Sequence, residues 1–371
     1  MMKQLLIYIL VMLILVPQAI DADTWKNAKL HYQWSFPKDH WRRDGYKTEW
    51  WYFTGHLESE KGSRFGYQFT FFRVGLTLSK PGLASEWDAK DVIMGHASIS
   101  DLSTGRHLFS EVIYRATPLL GGFGTFPDTP IAWCRGPAGT DGKWSLQWNG
   151  EALDFEMVDR AQEMGFKLST RPMKPLVFQG PNGVSKKGKG NASHYYSFTR
   201  LATEGTVRLG QSKYMVKGES WMDKEFGSNQ LGENQVGWDW FSLQLDDGRE
   251  VMLYMLRDRT GGVDFARGTV VSRNGEATYV DHSAFEVKAT DFWKSPEGET
   301  TYPARWSIRL PDEAIEIEVV PELADQENRS KRVKSVFYWE GAVKVVSSRG
   351  ERLGKGYVEL VGYGSGSRPR I

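Results

Sequence analysis

The stretch Gly218-Glu219-Ser220-Trp221-Met222-Asp223-Lys224-Glu225-Phe226-Gly227 sets three carboxylates, a lysine, a tryptophan and a phenylalanine between two glycines. As an extended chain it turns Glu219, Trp221, Asp223 and Glu225 to one side and Ser220, Met222 and Lys224 to the other, because side chains alternate along a strand. A carboxylate beside an indole on the inner face of a β-barrel is costly to bury unless it is paired or put to use. Two roles fit Asp223. One is structural, accepting hydrogen bonds from a neighbouring loop. The other is acid chemistry: burial against Trp221 disfavours the carboxylate and leaves a proton to donate near neutral pH.

Other chemistries find less support. The histidines are His31, His40, His56, His96, His107, His194 and His282, with neither HxH nor HExxH spacing among them. No metal site, and no cofactor, is therefore expected from local sequence. A serine hydrolase would need a GxSxG elbow, which the chain lacks. Lys186-Lys187-Gly188-Lys189-Gly190 is basic and glycine-rich, but without the GxxxxGK-Ser/Thr spacing and a following helix it reads as a mobile hairpin tip rather than a phosphate loop. Cys134 is the single cysteine, so no intrachain disulfide can form. With 47 basic and 46 acidic residues the formal charge is +1, which gives no electrostatic case for nucleic acid or an anionic membrane as partner.

The elements that must carry these residues read as strands throughout. Lys3, an apolar run over 5–16, Pro17 and Ala19-Ile20-Asp21-Ala22 have the pattern of a secretory signal peptide cut after Ala22. Its run of 12 apolar residues is too short to span a membrane comfortably, so residues 1–22 are set apart from the fold and the mature chain is expected to be periplasmic or secreted, with no stable membrane span. The polar segment 23–43 has no clear period and is expected to wrap over the first sheet. Glu49-Trp50-Trp51-Tyr52-Phe53 and the alternating Phe65, Tyr67, Phe69 and Phe71 form a hairpin about Glu60-Lys61-Gly62. Glu49 and Arg73 fall on it as an inward-facing ion pair. Asn149-Gly150 and Asn274-Gly275 mark two further hairpins. Trp238-Asp239-Trp240-Phe241 opens a second hairpin of similar size to the first, a weak internal repeat. Strands over 304–310, 313–320, 336–346 and 357–362 complete an all-β chain. The content of 15 Trp, 15 Tyr, 19 Phe and 39 Gly suits tightly turned sheets around an aromatic-lined cavity.

Ser193-His194-Tyr195-Tyr196-Ser197, the Gly218–Gly227 run and Glu49-Trp50-Trp51-Tyr52 resemble the carotenoid 1,2-hydratase (CrtC/AttH-type) lipocalin-like family, in its exported branch of secreted hydrolase-labelled members. The resemblance spans roughly residues 41–362. It implies two consecutive lipocalin-like (calycin) antiparallel β-barrels, here residues 23–228 and 229–371, with a cavity near their junction. It also implies catalytic roles for Asp223, which would protonate an isoprenoid double bond, and for His194, which would place water. Tyr196 and Trp221 fall at the family's lining positions, where the hydratases favour Trp and Tyr respectively. Trp50, Trp51, Trp238 and Trp240 are further candidates for the apolar lining, or for core. The chemistry is coherent: aromatic faces favour a tertiary cation by about 0.5–2 kcal/mol, and general acid–base groups complete the addition of water. The expected partner is a hydrophobic small molecule, a lipid or an isoprenoid. A non-catalytic lipid carrier, and a hydrolase of unknown substrate, are the alternatives.

Overall fold

Strands whose two faces are both apolar must be covered on both sides, and the central strands of this chain are of that kind. Trp51 and Phe53 are fully buried on one face of Thr48–Ser59, and Tyr52 is buried on the other. The computed structural model describes residues 24–334 and 336–364; the leader expected at 1–22 lies outside the described residues. The chain is all-β, with four short 3-10 turns and no α-helix among the described residues.

Two antiparallel sheets follow one another along the chain. The first, of 13 strands, runs from Thr48 to Asn229, and the second, of 10 strands, from Gln235 to Val361. In each, the last strand returns to pair with the first: Ser212–Asn229 with Thr48–Ser59, and Arg352–Val361 with Gln235–Leu245. That return curls each meander into a barrel-like unit. The expected hairpins at Asn149-Gly150 and Asn274-Gly275 join Lys143–Trp148 to Leu153–Asp159 and Val263–Val271 to Ala277–Asp281.

Three apolar clusters result. One fills the first unit around Trp51, Phe53, Phe69 and Trp144, and another fills the second around Phe241, Leu253, Trp306 and Val358. The third lies between the units, where Tyr52, Tyr195 and Trp221 meet Trp240, Tyr254 and Tyr357. Each such side chain contributes about 1.5–3 kcal/mol by leaving water, so the seam is a core in its own right. Polar links fix its register. Glu250 of the second unit takes Lys174 and Arg200 of the first, each at 2.7 Å, and His56 and His96 bond Gly356 O and the Tyr338 hydroxyl at 2.8 and 2.9 Å.

Segment 24–47 packs over one end of the first unit and is tied down by charge. Glu49, fully buried, accepts from the Arg43 backbone N–H at 2.9 Å, from Arg73 Nε at 2.8 Å and from Lys224 Nζ. Arg73 also reaches Asp91 at 2.9 Å, and Arg43 holds Asp39 at 2.6 Å. Burial works against the Glu49 charge, but the two cations outweigh it and hold its carboxyl below the ordinary range. The ion pair expected between Glu49 and Arg73 is thus part of a larger network. Replacing Glu49 by Ala strands two buried cations, a change that costs about 3–5 kcal/mol, read as a lowered urea midpoint with an unchanged m-value.

Candidate active site between the two barrels

Period two decides what Asp223 meets. On Ser212–Asn229, Met222, Lys224 and Phe226 turn into the first unit, where Met222 joins its core and Lys224 lies 3.7 Å over the Trp51 ring. Trp221, Asp223 and Glu225 turn the other way, onto the seam. The alternation read from the sequence therefore holds, but the Asp223 side is the outer face of the first barrel, not its inner face. Both faces of the strand are buried, so composition could not say which one pointed inward.

Asp223 sits between Ser197 on one flanking strand and Tyr52 on the other. It accepts three hydrogen bonds: Ser197 Oγ to Oδ1 at 2.5 Å, Trp221 Nε1 to Oδ1 at 2.8 Å, and Tyr195 OH to Oδ2 at 2.8 Å. Each donor is oriented from behind. Trp240 Nε1 donates to the Tyr195 hydroxyl at 3.2 Å, so that hydroxyl's own proton is directed at Asp223. Gln179 Nε2 donates to Ser197 Oγ at 2.8 Å, and Thr269 Oγ1 donates to Gln179 Oε1 at 2.7 Å. Oδ1 is doubly engaged, which leaves Oδ2 as the oxygen with room for a proton. Burial raises the Asp223 pKa to about 7; the bonds from Ser197, Trp221 and Tyr195 pull against this, and the Glu225 charge adds to it. A carboxyl in this state can donate and recover a proton near neutral pH.

The cavity beside Asp223 has a volume of about 130 Å³. That is close to the ~150 Å³ apolar hole that takes up one benzene. Trp50, Trp238, Trp240, Met94, Phe72 and Leu231 give it apolar walls from both units. Its acids are Glu49, paired with Arg73, and Asp223, Glu225, Glu340 and Glu359, and Lys187 enters it from the 186–190 loop. Lys187 is buried, 3.0 Å from Glu225 and 4.5 Å above the Tyr254 ring. Burial disfavours its charge, yet the Glu225 carboxylate holds its pKa above the ordinary value. The reading of this loop as a mobile tip is corrected: an interior ion pair fastens it.

Of the eight residues singled out from the sequence, Asp223, Trp50, Trp238 and Trp240 line the cavity, and Trp221 holds Asp223 from the side. His194, Tyr196 and Trp51 do not reach it. His194 and Tyr196 leave the opposite face of Ala192–Leu209 from Tyr195 and Ser197, because their numbers differ in parity. His194 lies under the 24–47 segment, 4.4 Å from Tyr32 and 5.0 Å from Phe226 between ring centroids, and accepts the Lys29 N–H at 3.3 Å. Burial lowers its pKa to about 4, so it is neutral and holds the wrap in place. Tyr196 bonds His40 Nδ1 at 2.7 Å, and Trp51 Nε1 bonds the His40 carbonyl at 2.7 Å within the first unit. The water-placing role expected of His194 has no geometry here.

Sequence reading missed Tyr195, Ser197, Tyr52, Lys187, Glu340 and Glu359. For Tyr195 and Ser197 the parity of Asp223's neighbours was no guide without the register. For Glu340 and Glu359 a signal existed: each is the lone acid inside an apolar strand, Phe337–Val346 and Arg352–Val361. Hydrogen bonds to a carboxylate lower its pKa, so Tyr195→Phe is expected to raise that of Asp223 further, measured as the midpoint of its ¹³C carboxyl titration. Burial likewise raises Glu359 to about 7. A carboxyl raised in the fold gives stability below its unfolded value that is lost as pH climbs through the folded one. Glu359→Gln is therefore expected to gain stability relative to the parent between about pH 4.5 and 7, followed by urea unfolding across that range.

The AttH-like family model matches residues 27–363. Among solved structures, the chain is similar to an AttH protein from Nitrosomonas europaea, at 27% identity and a TM-score of 0.76 over 90% of this chain and 98% of that one. It is also similar to kievitone hydratase from Nectria haematococca, at 13% identity and a TM-score of 0.64 over 91% and 95% of the two chains, a likeness of fold. Among the curated proteins no sequence matches.

Proposed function

The chain belongs to the AttH-like family, and on that footing we propose that it is an exported hydratase that binds an apolar, isoprenoid-type group between its two barrels and adds water to a carbon–carbon double bond there. The observation that carries this reading is Asp223: a carboxyl without a cation partner, fixed by three oriented donors, holding a pKa near 7 against an aromatic wall. Protonating an unactivated alkene needs an acid that keeps its proton near neutrality, and the cation formed needs π-faces rather than water around it. Trp50, Trp238 and Trp240 supply those faces. The cavity volume favours a ring-sized or prenyl-sized part of the ligand at the reacting centre, with any longer chain outside it.

The mechanism uses this chain's own groups. Tyr195, Ser197 and Trp221 hold Asp223 in one orientation, with Oδ2 as the proton-bearing oxygen. As the proton leaves for the alkene carbon, the same three donors stabilise the carboxylate that remains, a preorganised electrostatic gain. Water then attacks the cationic carbon. Export through residues 1–22 belongs to the proposal and places the substrate outside the cytoplasm; N-terminal sequencing of the protein from a periplasmic fraction tests it.

For the chemistry, geraniol incubated with the protein in heavy-oxygen water is expected to gain the mass of one heavy water. Asp223→Asn is expected to reduce that rate by about 10²–10⁴-fold. The parent rate should fall as pH rises through about 7, because the donor must be protonated. Hydration that survives Asp223→Asn refutes the acid role, and a ligand retained without any mass change favours a lipid carrier.

A further inference from the structure

Several buried acids along the two sheets are held by cations, while Glu111 and Asp159 take backbone N–H and hydroxyl donors instead. Glu49 has Arg73 and Lys224, Glu225 has Lys187, Asp239 has Arg257, and Glu250 has Lys174 and Arg200. Glu340 and Glu359 are different. Both line the cavity, and among the described residues neither has a Lys or Arg partner. They stand directly opposite each other on the paired strands Phe337–Val346 and Arg352–Val361, where side chains emerge from the sheet about 4.5–5.5 Å apart. Two carboxylates at that spacing cannot both ionise cheaply, so such a pair retains a proton.

Their surroundings divide the roles. Glu340 is 1% exposed; Asn328 Nδ2 reaches its Oε2 at 3.3 Å, and the Tyr52 and Tyr338 hydroxyls lie against it as donors that pull its pKa down. Glu359 is only half-buried, and Trp238 Nε1 donates to its Oε2 at 2.8 Å. Burial and the Glu359 charge push Glu340 well above the carboxylate range, so it keeps the shared proton. Glu359, raised by burial and by the charges of Asp223 and Glu225, is the member that ionises near neutrality. Of the other titratable groups facing the pair, Tyr52, Tyr338 and Tyr357 are held protonated by burial, and His96, which bonds the Tyr338 hydroxyl, is held neutral by burial.

We propose that Glu359 is the base of the reaction, accepting a proton from the attacking water across the cavity from Asp223, and that Glu340 is the positioning residue that keeps the pair at a single negative charge. This rests on the hydration reading above. The Asp223 proton and the alkene π pair form the new C–H bond. A lone pair of water forms the C–O bond, and the proton that water sheds goes to Glu359. Transfer of that proton back to Asp223 through solvent closes the cycle, with one water added and nothing oxidised or reduced. The arrangement supplies the water-handling group that His194, on the far face of its strand, does not.

The test uses geraniol in D2O and reads two quantities by mass spectrometry: hydrated product, and carbon-bound deuterium in the recovered alkene. Protonation at carbon followed by loss of a proton washes deuterium in without hydration, so it reports the acid alone. For Glu359→Gln, which keeps the shape and the Trp238 contact, hydration is expected to fall by 10²-fold or more while deuterium wash-in persists. Glu359→Asp should recover part of the hydration, which a purely structural role would not require. Hydration by Glu359→Gln within twofold of the parent overturns the proposal. So does a folded Glu359→Gln in which wash-in and hydration disappear together, since the residue then only supports Asp223. Hydration and wash-in that both survive Asp223→Asn overturn instead the acid reading on which the proposal rests.

Discussion

A carboxyl group taken out of water without a counter-charge is the constraint on which this structure turns. Asp223 is 3% exposed, and burial of an unpaired carboxylate is so unfavourable that the group keeps its proton to higher pH rather than pay the full penalty. Two sheets are needed to impose that condition. The first barrel alone would leave the outer face of Ser212–Asn229 in water, and Asp223 would be an ordinary surface acid. The second barrel covers that face with Trp240, Tyr254 and Tyr357, and the acid exists as a consequence of the seam.

The same strand shows how closely paired and unpaired charge can be set. Lys224, the next residue after Asp223, points into the first unit and is matched by Glu49 within a network that reaches Arg73, Asp91, Arg43 and Asp39. One face therefore carries a saturated charge network and the other a carboxyl without a cation partner, separated by one residue. The contrast is informative about function. In the network around Glu49, and at Glu225, Asp239 and Glu250, the fold provides partners of opposite sign. In the cavity, Asp223, Glu340 and Glu359 receive hydroxyl, indole and amide donors instead, which tune a proton without removing it.

The hairpins were legible because turn chemistry and alternation are local. Asn149-Gly150, Asn274-Gly275 and the Phe65 to Phe71 alternation all fall where strands pair. The repeat of Trp50-Trp51-Tyr52-Phe53 in Trp238-Asp239-Trp240-Phe241 also has a physical basis: each run opens the first strand of its sheet and sends an aromatic onto the seam, where Tyr52 and Trp240 meet edge-on at 5.2 Å. Lys187 shows the opposite case. A lysine- and glycine-rich loop reads as solvated, and nothing within it announces that Glu225, 38 positions later, will draw one lysine inside.

By itself the sequence determined that the chain is all-β, that the Gly218–Gly227 run sets several carboxylates on one strand, and that Asp223 shares a face with Trp221. These are properties of neighbouring residues, settled by a period of two and by turn propensity. Only the tertiary structure decided which face that was and what joined it. Moving one residue along a strand exchanges its two sides, so Tyr195 and Ser197 reached Asp223, while His194 and Tyr196 went beneath the N-terminal wrap. Glu340 and Glu359 came from more than 100 residues away, through a register between sheets that no local pattern encodes. The run at Asp223 named the acid; the packing of one barrel against the other gave it a cavity and placed two further carboxyls in the wall.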